Sequence, residues 1–223
     1  MIPLRDNIPH QRFPFVTYGI IALNALVFWH ELQLGSGVEQ FVRMYGLVPL
    51  RFHTAHDPVA RFVPIYTSMF LHGGLMHLLG NMLFLHIFGD NVEDRLGHGR
   101  FVFFYLACGT VAALVQANML GRSTMPMVGA SGAIAGVTGA YFVFYPRARV
   151  LTLIPVFVFL EVVQVPAVVF LLFWFVMQVA YGMLALGGGG ADMGGVAWWA
   201  HVGGFSSGAV GGLLLAPRRL QPF

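Results

Sequence analysis

Gly129-Ala130-Ser131-Gly132-Ala133-Ile134-Ala135-Gly136 opens an apolar run that closes at Pro146-Arg147. The run is short for a membrane span, which needs about 20 residues to cross the hydrocarbon core. Its helix is therefore expected to begin below the membrane surface, with Ser131 at its first turn. The loop feeding it carries unpaired backbone groups, and these are tolerated at depth only inside protein or beside a cavity.

Composition agrees with a chain that lives in lipid. Hydrophobic residues make up 57% of the 223 residues, and only 9% are charged. Soluble domains carry about 25% charge. All 12 basic residues are arginine and the net charge is +3, which reads as topology information rather than nucleic-acid binding. Cys108 is alone and cannot form an internal disulfide. The start of the chain reads as a polar lead, without a cleavage site after the first apolar run.

Six spans are expected: Phe15 to Trp29, Leu75 to Phe88, Phe101 to Leu120, Ser131 to Pro146, Ala167 to Leu186, and Trp198 to Pro217. Residues 150–165 can be cut at Pro166 as an extra span, or read as a slanted segment leading into Ala167. Charge decides. With six spans, Arg5, Arg12, Arg95, Arg100, Arg147, Arg149, Arg218 and Arg219 share one side, and Arg43, Arg51, Arg61 and Arg122 the other. The positive side is cytoplasmic, so residues 1–13 and 218–223 are expected there, flanking a membrane domain over 14–217. Residues 30–75 are too polar to span and too aromatic for a plain linker, which fits an interfacial or partly re-entrant loop as well as an ordinary one.

Depth then gathers the polar residues. Ser131, His201, Asn81 and His77 precede the arginines closing their spans by 14 to 18 residues. At about 1.5 Å per residue they lie at one level, roughly 21–27 Å above the cytoplasmic boundary. Buried polar groups are costly unless they meet each other or water. Gly132 and Gly136, with Gly204 and Gly208, leave bare helix faces that permit close pairing of the two spans. Singly, Ser131 reads as a packing residue and His201 as an interhelical hydrogen bond. Together they read as a nucleophile and its base. His77 and Asn81, four apart on one face, read as donors to an oxyanion. No His-Glu-x-x-His pattern exists, so no metal and no cofactor are expected. Asp90, Glu93 and Asp94 are expected to cap the second span and pair with Arg95 or Arg100. A silent binding protein would lack Ser131 or His201, and a transporter would continue its polar path toward the cytoplasm.

These motifs resemble those of the rhomboid intramembrane serine proteases. The matching elements are His77-Leu78-Leu79-Gly80-Asn81, Glu93-Asp94-Arg95-Leu96-Gly97, Gly129-Ala130-Ser131-Gly132 and Ala200-His201-Val202-Gly203-Gly204. The resemblance implies an all-α, six-transmembrane-helix bundle with a membrane-embedded first loop. It implies a Ser131–His201 dyad without an acidic third member, and an oxyanion site from Asn81, His77 and the Ser131 N–H. It further implies membrane-protein substrates cut near the outer face, a fifth span gating lateral access, and a capping loop at 187–195. The protein is expected in the plasma (inner) membrane. Two departures stand out. Ala135 occupies the place of an aromatic that stacks on the histidine in some members, and the first loop lacks a Trp-Arg pair.

Overall fold

The computed structural model describes residues 1–156, 159–186 and 196–215. Among them the long helices are α1 (Phe15–Gln33), α5 (Leu75–Leu96), α6 (His98–Met119), α7 (Ser131–Phe144), α8 (Ala167–Leu184) and α9 (Trp198–Leu215). Three of these, α1, α6 and α8, are each long and apolar enough to cross a membrane alone. The α5 helix does so together with the preceding helical stretch Pro58–Phe70, across a bend of 79°. The chain is a multi-pass membrane protein, mostly helical.

Helices α7 and α9 form the centre. A Cβ placed on Gly204 would lie 2.0 Å from the Gly132 carbonyl oxygen, and one on Gly208 would lie 1.9 Å from that of Gly136. The two backbones therefore touch directly, as small residues allow in membranes. The α7 glycines have a second use that spacing did not reveal. Their missing side chains make room for α6: a Cβ on Gly132 would meet Ala112 at 2.8 Å, and one on Gly136 would meet Cys108 at 2.3 Å.

The segment between α1 and α5 folds into α2 (Val38–Tyr45), α3 (Pro49–Thr54) and α4 (Pro58–Thr67). Leu47, Phe52, Ile65 and Met69 bury against Ala113 and Ala117 of α6. Arg51 donates to the carbonyls of Arg43, Met44 and Gly46, closing the end of α2 where carbonyls lack helical partners.

Three expectations need correction. The chain is not all-α. Residues 150–165, expected as a slanted segment, form a hairpin of β2 (Arg149–Val156) and β3 (Phe159–Pro166), and β1 (Ile2–Asp6) completes an antiparallel sheet in the order β1-β2-β3. The β-branched residues Val150, Thr152, Ile154, Val162, Val163 and Val165 favour the pleated form, and Val150 and Thr152 are fully buried against the bundle. Residues 2–6 are thus part of the fold rather than of a separate lead. Second, α1 runs four residues beyond Trp29 and α5 eight beyond Phe88. Third, the acidic group of α5 does not pair with arginine among the described residues. Buried Glu93 accepts the backbone N–H groups of Val16 and Thr17, the Thr17 hydroxyl and the His98 ring. A carboxylate at the N-terminus of α1 offsets its free N–H groups and dipole. Asp94 accepts from the Gln11 N–H and Asp90 meets His10, while Arg95 lies over the Phe144 ring.

Pro217, the 218–223 tail and the 187–195 loop lie outside the described residues.

Candidate active site

Gly129 sets the approach to α7. Its φ of +123° is a conformation that side chains rarely adopt, and its N–H donates to the Ser68 carbonyl at 2.9 Å. The turn delivers Ser131 to the first position of the helix, where backbone N–H groups have no helical partner. Ser131 Oγ lies 2.8 Å from His201 Nε2.

His201 is buried in the first turn of α9, 8% exposed. Its other ring nitrogen, Nδ1, lies 2.7 Å from Gln178 Oε1 on α8. Chemistry orders this chain. Gln178 Nε2 donates to the Trp174 carbonyl, which only accepts, so Oε1 is left for the ring. Nδ1 then carries the proton, and Nε2 is free to accept from serine. Trp174 adds a wall: its ring centroid lies 5.5 Å from that of His201, tilted by 37°. Trp198 meets the same ring edge-on at 6.4 Å. The aromatic missing at Ala135 is thereby supplied from α8, four residues before Gln178.

His77 is oriented by similar logic. The Gly73 N–H donates to His77 Nδ1 at 3.3 Å, so Nε2 bears the hydrogen. A Cβ on Gly129 would lie 2.8 Å from that Nε2, which puts the donor beside the serine turn. Asn81, four residues on, gives one amide hydrogen to the His77 carbonyl at 3.0 Å and keeps the other. The loop before His77 is anchored by buried Glu31 of α1, whose carboxylate oxygens both lie 3.3 Å from the His72 N–H. The Ala200 N–H at the start of α9 donates to Gln116 of α6 at 3.1 Å.

Ser131, His201, His77, Asn81 and Trp174 line one cavity of about 600 Å³. Its flanks are Met76, Gly80 and Phe84 of α5 against Trp174 of α8. Phe84 lies 6.3 Å from Phe170 and 6.4 Å from Trp174, closing the lower seam between α5 and α8. Above it, nothing lies within 4 Å of a Cβ on Gly80. No group of three or more His, Cys, Asp or Glu side chains is placed to hold a metal ion among the described residues.

The structure thus gathers all four residues singled out by depth. Sequence reasoning missed Gln178, Trp174, Glu31 and Gln116. The available signals were lone amides in apolar stretches at Gln116 and Gln178, a tryptophan four residues before Gln178, and a carboxylate at Glu31 just past the expected end of the first span.

A family model described as the Rhomboid domain matches residues 59–218, well over half of the chain. The chain belongs to the rhomboid family. Among its relatives, the Presenilin-associated rhomboid-like protein, mitochondrial, of Mus musculus is 32% identical over 148 residues, covering 63% of this chain and 36% of that protein. Rhomboid protease GluP of Bacillus subtilis is 34% identical over 128 residues, 57% of this chain and 24% of that one. Rhomboid protein 1, mitochondrial, of Saccharomyces cerevisiae is 28% identical over 140 residues, 61% and 38% respectively. The chain therefore spans little more than a third of the length of these relatives at most.

Proposed function

We propose that this rhomboid is an intramembrane serine endopeptidase acting through Ser131 and His201. The observation that carries the reading is the 2.8 Å contact between Ser131 Oγ and His201 Nε2, at the wall of a cavity that also holds the open N-terminus of α7. His201 Nε2 takes the proton as Ser131 Oγ bonds to the substrate carbonyl carbon. The negative oxygen is received by the Ser131 N–H, His77 Nε2–H and the free amide hydrogen of Asn81. His201 then gives its proton to the departing amine, leaving an acyl-enzyme. A water molecule, deprotonated by His201, attacks the ester carbon, and His201 returns that proton to Ser131 Oγ as the C–O bond breaks and the second product leaves.

Six crossings, by α1, α5, α6, α7, α8 and α9, follow from the arginine distribution and put both termini on the arginine-rich side. That side is the cytoplasm in a bacterial inner membrane, and the matrix in a mitochondrial one. The α2–α4 segment is membrane-embedded in this topology. The seam above Phe84 between α5 and α8 is the access route for a transmembrane segment, with cleavage near the opposite membrane face.

The test is labelling by a fluorophosphonate probe in detergent, beside cleavage of a transmembrane substrate. Wild type is expected to do both. Ser131→Ala or His201→Ala protein that still cleaved at the wild-type rate would sink the assignment.

A further inference from the structure

We propose that the β1-β2-β3 sheet is a lipid-docking surface that holds the phosphate of an anionic phospholipid headgroup. The proposal rests on the topology above, in which this sheet sits at the arginine-rich end of the bundle.

Register defines the two faces. Arg5 stands opposite Leu151, and Leu151 opposite Gln164. Arg149 is two residues from Leu151 and shares its face. The other face carries Val150 and Thr152, both fully buried against the bundle. Arg5, Asn7, Arg149 and Gln164 thus surround a cleft of about 470 Å³ that opens outward. Among the described residues neither guanidinium has an ion pair or a side-chain hydrogen bond. Asp6 also borders the cleft, but its Oδ2 is taken by the Tyr141 hydroxyl and by Asn91. Two free guanidiniums beside amide donors suit a phosphate, which arginine binds through paired N–H groups.

Continuing along the same face, the next row is Ile2, Leu153 and Val162, and beyond it Pro155 and Leu160. Among the described side chains at the far end of β3, both faces are uncovered. Phe159 is 68% exposed, Leu160 67% and Val162 52%, and the only charged residue of β3 is Glu161. β3 is also an edge strand, and in water such edges are guarded by charge. This one carries Glu161 alone. It runs into membrane-crossing α8 with no linker, Pro166 preceding Ala167. The hairpin therefore starts at the boundary where α8 enters, and its eight-residue strands extend at most roughly 26 Å from it. A surface with arginines at the headgroup level and apolar side chains at the acyl boundary has the pattern of an interfacial element.

The full chain would be placed in nanodiscs of phosphatidylcholine, with or without one quarter phosphatidylglycerol. Native mass spectrometry of the released protein should show retained phosphatidylglycerol, with retention about thirtyfold weaker for Arg5→Gln/Arg149→Gln. Retention equal to wild type overturns the proposal. Inorganic phosphate at millimolar concentration should not displace the lipid, and displacement would assign the cleft to a soluble anion instead. On an otherwise unchanged background, a nitroxide at Leu160→Cys should be reached by oxygen and shielded from an aqueous nickel chelate. A water-exposed label would leave the hairpin to a soluble protein partner and overturn the proposal. Fluorophosphonate labelling of the same samples reports the fold and the Ser131 site separately, so loss of the protease reading and loss of lipid binding are told apart.

Discussion

Gln178 offers the sharpest test of how the site works. It reaches His201 from α8 at 2.7 Å and fixes which ring nitrogen holds the proton. Gln178→Leu keeps the side-chain bulk but leaves a buried Nδ1–H without an acceptor, a loss of about 1–3 kcal/mol. If that loss falls on the reactive ring orientation, the rate drops by roughly five- to 150-fold. Trp174 still packs on the ring in this variant, so the lower half of that range is expected, near tenfold. The assay is the second-order rate of fluorophosphonate labelling across pH, with kcat and KM for a transmembrane substrate. The drop should appear in kcat and labelling, with KM little changed. Gln178→Glu restores an acceptor and adds charge that favours the imidazolium. It should recover the rate while moving the acidic limb of the profile to higher pH. Trp174→Ala/Gln178→Leu should show a non-additive loss, because both groups restrain one ring. Wild-type labelling rates and pH profile in Gln178→Leu would refute the orienting role.

Other outcomes test the surrounding frame. Gly80→Trp fills the open seam, so cleavage of a transmembrane substrate should fall severalfold while labelling by the small probe stays near wild type; equal losses in both would exclude the seam as the access route. Gly208→Ala puts a methyl group where the Gly136 carbonyl oxygen lies 1.9 Å away, and the two helices must part. A loss of about 1–3 kcal/mol is expected for such overpacking, read as a lower unfolding midpoint in detergent, and an unchanged midpoint would contradict the contact. Asp6 is raised from 3.8 to about 6, chiefly by burial. The folded chain therefore holds this proton more tightly than the unfolded chain. Its stabilising contribution is full below about pH 4 and is lost as pH rises through 6. Wild type minus Asp6→Asn should show a difference in unfolding midpoint that declines over that window, and a flat difference would refute the shift.

The proximity of Ser131 and His201 was legible because Arg147 and Arg218, read as span ends, let helical rise convert residue counts to depth. The sheet was not legible. Its middle strand carries residues from Arg149 onward, while its partner lies at residues 2–6, and no local pattern announces so distant a pairing. β3 is mostly apolar with one polar residue on each face, Glu161 and Gln164, so alternation could not separate it from a helix. Gln178 carries no charge, and a lone amide in an apolar span equally suits an ordinary interhelical hydrogen bond, although its spacing from Trp174 puts both on one face of α8. Glu31 fell outside an expected span that ended at Trp29. Glu93 was assigned to nearby arginines, whereas its partners are N–H groups of α1, 76 and 77 residues earlier.

Where the aromatic and amide partners of His201 sit has a consequence for timing. Serine and histidine ride on α7 and α9, locked by backbone contact, but both groups that aim the imidazole belong to α8. That same helix forms one wall of the seam proposed for substrate access. Should α8 swing outward to admit a segment, Trp174 and Gln178 leave with it, and the base loses its aim while the door is open. Reclosure over the bound segment restores it. On the proposed function the arrangement would be an interlock: admission and bond cleavage could not coincide, and a protein opened at the seam would be unprimed although neither reacting residue had moved.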